Sequence, residues 1–206
     1  MHDIGTSEHQ TGTSRRVLFG FPGWTQTTKP KAAPKCLQLP RELTLGDDDR
    51  MRVSPIPELQ TLRHSPSTGP STLAKGSQVE LRLACSSATS GFVGVDVLAT
   101  ADETQATKIR VNFTSGLLLV DQRACCGQPG NGIVQSAPLR LQKGEAVELV
   151  IIVDGYFIEV FANNRTVITA LVAPDEAKGL PAARQSTMRT SGPSRCEVAS
   201  WQLSLH

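Results

Sequence analysis

Residues 148–172 read ELVIIVDGYFIEVFANNRTVITALV, three apolar, β-branched runs separated by Asp154-Gly155 and Asn163-Asn164. Both dipeptides accept the positive φ of two-residue hairpin turns. The stretch therefore predicts an antiparallel meander with strands at about 147–153, 156–162 and 165–172. Side chains alternate along a strand, which sends Tyr156, Ile158 and Val160 of the middle strand to one face and Phe157, Glu159 and Phe161 to the other. Neither face is polar, as suits a sandwich strand whose outer side is also covered. Glu159 is then a carboxylate among aromatics.

Working outward, further strands are predicted at 78–85 (QVELRLAC), 91–99, 107–113, 116–122 and 197–205. No segment holds a 3.6-residue apolar period for three turns, so the chain reads as all-β, an antiparallel sandwich of two packed sheets. Trp201, in the last strand, is expected in the core. The first 75 residues differ. RRVLFGF (15–21) is a single strand-like run followed by a loop to residue 35, and a lone strand has no stability in water. Its partners are expected to be missing or supplied by another chain. LQLPRELTL (37–45), the turn Gly46-Asp47-Asp48-Asp49 and RMRVSPIPELQTLR (50–63) follow. Pro55 and Pro57 force extended chain before a short helical turn, and 64–75 reads as a loop.

A chain of 206 residues can hold one domain with a real core, or one domain plus a fragment of another. With 39% hydrophobic and 19% charged residues and a net charge of +2, no disordered tail dominates. Lys and Arg are scattered without a basic stripe, which argues against a nucleic-acid partner. No apolar run approaches the roughly 20 residues that span a bilayer, and residues 1–10 lack the apolar core of a secretory signal. A membrane partner is not expected, and the compartment stays open. The five cysteines, Cys36, Cys85, Cys125, Cys126 and Cys196, form no CxxC pair and have no histidine at ligand spacing, so neither a metal site nor a cofactor is expected. Free thiols are expected, since adjacent Cys125 and Cys126 are hard to bridge to each other.

Asp154 and Glu159 are the tempting acid pair. Turn chemistry accounts for Asp154, and either pairing with a cation such as Arg165 on the neighbouring strand or contact with another domain accounts for Glu159. Asp47, Asp48 and Asp49 read as a solvated turn, because no Glu follows at calcium-loop spacing. His2, His9, His64 and His206 lie in termini or a loop, without a nucleophile elbow. Asn112-Phe113-Thr114 and Asn164-Arg165-Thr166 fit the glycosylation pattern, which matters only if the chain is secreted.

Taken in order, RRVLFGF with Trp24 shortly after it, LPRELTL (39–45), PIPELQTLR (55–63) and the pair IVD…IEVFAN (152–154 and 158–163) resemble glycoside hydrolase family 32, the invertases, inulinases, levanases and sucrose-6-phosphate hydrolases. The resemblance covers roughly 15–205. Gly155, Tyr156 and Asn164 depart from the family pattern but keep good turn formers, and the loop 125–132 has no counterpart. The resemblance implies a concanavalin-like β-sandwich over 36–206, including a linking segment 36–75. Before it, 1–35 would be a poorly ordered remnant of the last blade of a five-bladed β-propeller.

Retaining hydrolysis needs two carboxyl groups about 5 Å apart. In this family the nucleophile is the Asp of Trp-Met-Asn-Asp-Pro-Asn-Gly, the acid is the Glu of Glu-Cys, and Arg-Asp-Pro grips the fructosyl hydroxyls. None occurs here, and Cys196-Glu197 is the reverse order. No catalytic residue carries over, and the chain by itself is expected to be inert, a half separated from its catalytic domain. The resemblance leaves Trp24 as a sugar-facing candidate and gives Asp154, Glu159, Phe161 and Asn163 structural or interdomain roles. The partner it implies is the propeller domain or a second chain, with a fructo-oligosaccharide as a candidate ligand. Two other readings stand beside it: a lectin-like carbohydrate-binding sandwich, weakened by an aromatic content of 4%, and a docking or dimerisation module that offers RRVLFGF for strand pairing.

Overall fold

The acidic turn at Gly46–Asp49 closes a β-hairpin. In the computed structural model, which describes residues 6–8, 15–20, 37–125, 133–155, 157–172 and 184–204, strands β3 (Arg41–Leu45) and β4 (Met51–Pro55) pair antiparallel with Leu45 opposite Met51. Asp49, at φ 58°, donates its N–H to the Gly46 carbonyl at 3.0 Å. Strand β2 (Arg16–Leu18) adds to β3, and β1 (Thr6–Glu8) adds to β2, giving a four-stranded sheet in the order β1-β2-β3-β4. The run at 15–21 is therefore not a lone strand: Val17 lies opposite Glu42 on one side and Ser7 on the other. A 3-10 segment, Pro57–Leu62, follows β4.

The chain divides into two compact units, Met1–Thr61 and Leu62–His206. The expected boundary at 35/36 moves accordingly. Residues 37–61, grouped by sequence with the sandwich, belong to the first unit, where β3 hydrogen-bonds to β2 and β4 to β3.

The second unit holds β5 (Arg63–Thr68), β6 (Gln78–Cys85), β7 (Phe92–Ala99), β8 (Thr107–Asn112), β9 (Leu117–Asp121), β10 (Val134–Pro138), β11 (Val147–Asp154), β12 (Phe157–Ala162), β13 (Thr166–Leu171), β14 (Gln185–Ser191) and β15 (Cys196–Leu203). They form a six-stranded sheet, β13-β12-β11-β6-β15-β5, and a five-stranded sheet, β10-β9-β8-β7-β14. All pairs are antiparallel, and the meander read from residues 148–172 is β11-β12-β13. Its second turn has φ 49° at Asn163 and 50° at Asn164, with Arg165 N–H on the Ala162 carbonyl at 2.9 Å, as a type I′ turn requires.

Alternation builds the core. Val79, Leu81 and Leu83 of β6, Ile151 and Val153 of β11 and Ile158 and Val160 of β12 meet Val93, Val95 and Val97 of β7, Ile109 of β8 and Leu118 of β9 in one buried cluster. Each such side chain contributes about 1.5–3 kcal/mol on burial. Gly94 is needed on β7, since a Cβ there would stand 1.9 Å from the Ile109 carbonyl oxygen.

Three expectations are corrected. Residues 63–68 form an edge strand, β5, where Pro66 is tolerated because one side of an edge strand needs no donors. Trp201 is half-buried and lies outside the core cluster. Cys85 and Cys196 are not free thiols: β6 and β15 place them opposite each other, and they form a disulfide with 4.0 Å between Cα atoms. Their 111-residue separation hid the pairing. Cys125 is buried, while Cys36 and Cys126 lie outside the described residues.

Candidate functional site

The outer face of the six-stranded sheet gathers most of the polar residues that the sequence marks. Across it runs one row, Thr169, Glu159, Ile152, Glu80 and Trp201, fixed by cross-strand register. Glu159 and Glu80 are both 2% exposed, with Ile152 between them. Two strand spacings separate their backbones by roughly 10 Å.

Arginines lock Glu80. Arg63 donates from Nε to one carboxylate oxygen at 2.7 Å and from Nη2 to the other at 2.6 Å. Arg82 adds a bond from Nε at 2.8 Å. The Arg63 guanidinium also lies 4.4 Å from the Trp201 ring centroid, a cation–π contact that explains why this indole faces outward rather than into the core. QVELRLAC carried half of this signal, because alternation puts Glu80 and Arg82 on the face opposite Val79, Leu81 and Leu83. Arg63, 17 residues away, could be found only from the pairing of β15 with β5 and β6.

A second cluster sits on the five-stranded sheet. Asp96 is buried and accepts from Arg110 Nη2 on one oxygen and from Arg189 Nε, at 2.9 Å, on the other. Arg110 spends Nη1 on the Val95 and Ile109 carbonyls at 2.7 and 2.8 Å, and Arg189 reaches Glu103 at 2.6 Å. Gly94, opposite both arginines, leaves them room. Glu80 and Asp96 thus have both oxygens engaged by guanidinium donors, as acceptors only. That fits scaffolding rather than nucleophilic attack.

The marked residues of the hairpin serve local structure. Asp154 is exposed and accepts from Gln78 Nε2 at 3.2 Å. Asn163 accepts the Glu148 N–H at 3.1 Å and donates to the Ala146 carbonyl at 2.8 Å and to Glu145 at 3.1 Å. Arg165 pairs with Glu145, not with Glu159, because it sits at the hairpin tip while Glu159 lies opposite Thr169. Burial pushes the Glu145 carboxyl up, but the Gln142 N–H, Arg165 and Asn163 together hold it below its ordinary value. Phe161 is 1% exposed beside Glu159's row. Trp24 and Tyr156 lie outside the described residues. Among the described residues no three His, Cys, Asp or Glu side chains converge as a metal site would need.

One groove of about 660 Å³ opens on the outer face of the six-stranded sheet. Its floor is the row Glu148, Ala84 and Glu197 beside the row Val150, Arg82 and Ala199. Thr68, Gly69 and Pro70 form one wall, with Cys196 at the edge.

Comparison with known proteins places this architecture. The family model described as "Glycosyl hydrolases family 32 C terminal" matches residues 51–197. No curated protein sequence matches the chain. Among solved structures, sucrose-6-phosphate hydrolase from Lactobacillus gasseri superposes with a TM-score of 0.73 at 18% identity, over 93% of this chain and 39% of that one. Exo-inulinase from Aspergillus awamori gives 0.73 at 19%, over 92% and 40%. Fructan 1-exohydrolase IIa from Cichorium intybus gives 0.73 at 16%, over 98% and 48%. At these identities the likeness is one of fold, and the chain spans between 39% and 48% of the length of those three relatives.

Proposed function

The chain belongs to glycosyl hydrolase family 32 as a carboxy-terminal β-sandwich, and from that membership we propose that it braces a catalytic propeller without hydrolysing fructosides itself. One observation carries this reading. Among the described residues, every buried apolar side chain lies in the second unit, while Phe19, Leu37, Leu45 and Met51 of the first unit are 44%, 65%, 71% and 61% exposed. A sheet whose strands bury no apolar side chain, with Val17, Leu18, Leu43 and Val53 half-buried and Leu45 and Met51 exposed, needs another layer, and a propeller domain, in the same protein or a second chain, is the layer that this family membership offers. The absence of Asn-Asp-Pro, Glu-Cys and Arg-Asp-Pro from the chain, together with the locked state of Glu80 and Asp96, supports inertness of the isolated chain. The test is to incubate the purified chain with sucrose and with inulin and measure released fructose. None is expected, and sustained turnover would overturn the reading.

The groove favours a second reading, a subsite for a fructo-oligosaccharide. Ala84, Ala199 and Val150 offer an apolar floor for a sugar's C–H face, and Arg82, Glu148 and Glu197 offer hydroxyl partners. Calorimetric titration with a fructo-oligosaccharide tests it, and absence of heat together with an unchanged melting temperature would sink it.

A further inference from the structure

Two features that bracing a propeller does not use point the same way. The first is the disulfide between Cys85 and Cys196, which joins adjacent strands of the second unit. Such bonds persist in oxidising compartments and are rare in reducing ones. The second is the tip of the β12–β13 hairpin, where Asn164-Arg165-Thr166 forms an acceptor tripeptide for N-linked glycan.

The two acceptor tripeptides differ in setting. Asn164 is exposed, and its side chain makes no hydrogen bond among the described residues, whereas the side chain of its neighbour Asn163 bonds the Glu148 N–H, the Ala146 carbonyl and Glu145. Asn112 ends β8 half-buried, its Oδ1 accepting the Ser115 N–H at 2.9 Å, opposite Phe92 on one side and Leu117 on the other. A glycan at Asn164 would extend from a hairpin tip into solvent. One at Asn112 would have to leave from between paired strands.

We propose that Asn164 is an N-glycosylation site and that the chain matures in an oxidising secretory compartment. The donor class is a lipid-pyrophosphate-linked oligosaccharide. Asn164 Nδ2 displaces the lipid pyrophosphate from C1 of the first sugar: the N–C1 bond forms, the C1–O bond breaks, one amide proton passes to a base, and lipid pyrophosphate leaves. In the folded hairpin the Thr166 hydroxyl is committed to the Pro138 carbonyl at 2.7 Å, so the transfer precedes closure of the turn.

The test expresses the full chain behind a secretion leader in a eukaryotic host and maps glycopeptides after enzymatic deglycosylation in heavy-oxygen water. Secreted and cell-retained chain are both read, so poor export does not obscure the answer. Glycan is expected at Asn164, in molecules that also yield a linked Cys85–Cys196 peptide under non-reducing digestion. Asn164→Asp, which tolerates the positive φ, should remove that glycan, and Thr166→Ser should keep it. Unmodified Asn164 in disulfide-bonded chain, whether Asn112 is bare or glycosylated, would overturn the proposal. So would recovery of Cys85 and Cys196 as free thiols from that host.

Discussion

Glu80 illustrates how single side chains decide what this molecule can do. Its side chain is 3% exposed and its oxygens are held by Arg63 and Arg82. Removing one member of a buried, hydrogen-bonded pair leaves an uncompensated charge, at a cost of about 3–5 kcal/mol. Arg63→Ala, which also strips the cation from Trp201, is expected to lower the urea midpoint accordingly. Arg82→Ala, whose side chain is 42% exposed, should cost under about 1 kcal/mol. Equal losses in the two variants would show that the network is not centred on Arg63. In the first unit, hydrogen bonds from Arg15 hold the Glu58 carboxyl at about 2, against an ordinary 4.5. Because the folded value is the lower one, the contribution to stability is complete above pH 4.5 and is lost as pH falls towards 2. An NMR titration of the Glu58 carboxyl should show this low midpoint, and Arg15→Ala should return it to the ordinary range.

Among the elements, β6 and β15 carry the largest single constraint, the disulfide that closes a 111-residue separation. Loops of this size lose about 3–5 kcal/mol of stability when opened. The Cys85→Ser, Cys196→Ser double variant should therefore unfold at markedly lower denaturant, with the far-UV spectrum of the folded state unchanged. A midpoint that does not move would mean that strand pairing alone sets the register. The same strands show what sequence conveys and what it hides. Strong alternation and turn chemistry made β6, β7, β8, β9, β11, β12, β13 and β15 legible within about two residues. β5, β10 and β14 escaped because RHSPST, VQSAP and QSTMRTS are polar and lie at sheet edges, where one side faces solvent and no apolar period is needed. The site was less legible than the fold. Glu159 was visible as an intruder among aromatics, but the pairings of Glu80 with Arg63, of Asp96 with Arg189 and of Arg165 with Glu145 depend on neighbours 17, 93 and 20 residues away. Periodicity carries no information about partners at such distances.

For the whole molecule, the two units differ in what holds them. The second has a sandwich core in which Val79, Leu81, Val95, Ile109, Leu118, Ile151 and Val160 are fully buried. The first has a four-stranded sheet tied by Arg15 to Glu42 and Glu58, with no buried apolar side chain among its described residues and with Phe19, Leu37, Leu45 and Met51 exposed. Exposed ion pairs contribute about 0–1 kcal/mol each, far less than the core, so cooperative unfolding should report the second unit alone. Calorimetry of the full chain is expected to show one transition with an enthalpy of about 100 kcal/mol. Residues 62–206 made separately should keep that transition to within a few degrees. Loss of the transition on removing residues 1–61 would mean that the second unit does not hold its fold by itself. Adding a separately made family 32 catalytic propeller should then protect residues 37–61 from proteolysis in the full chain. Leu45→Lys with Met51→Lys should cancel that protection without moving the main transition, because on the proposed bracing role this exposed pair at the end of the β3–β4 hairpin would be apolar surface for the propeller to cover.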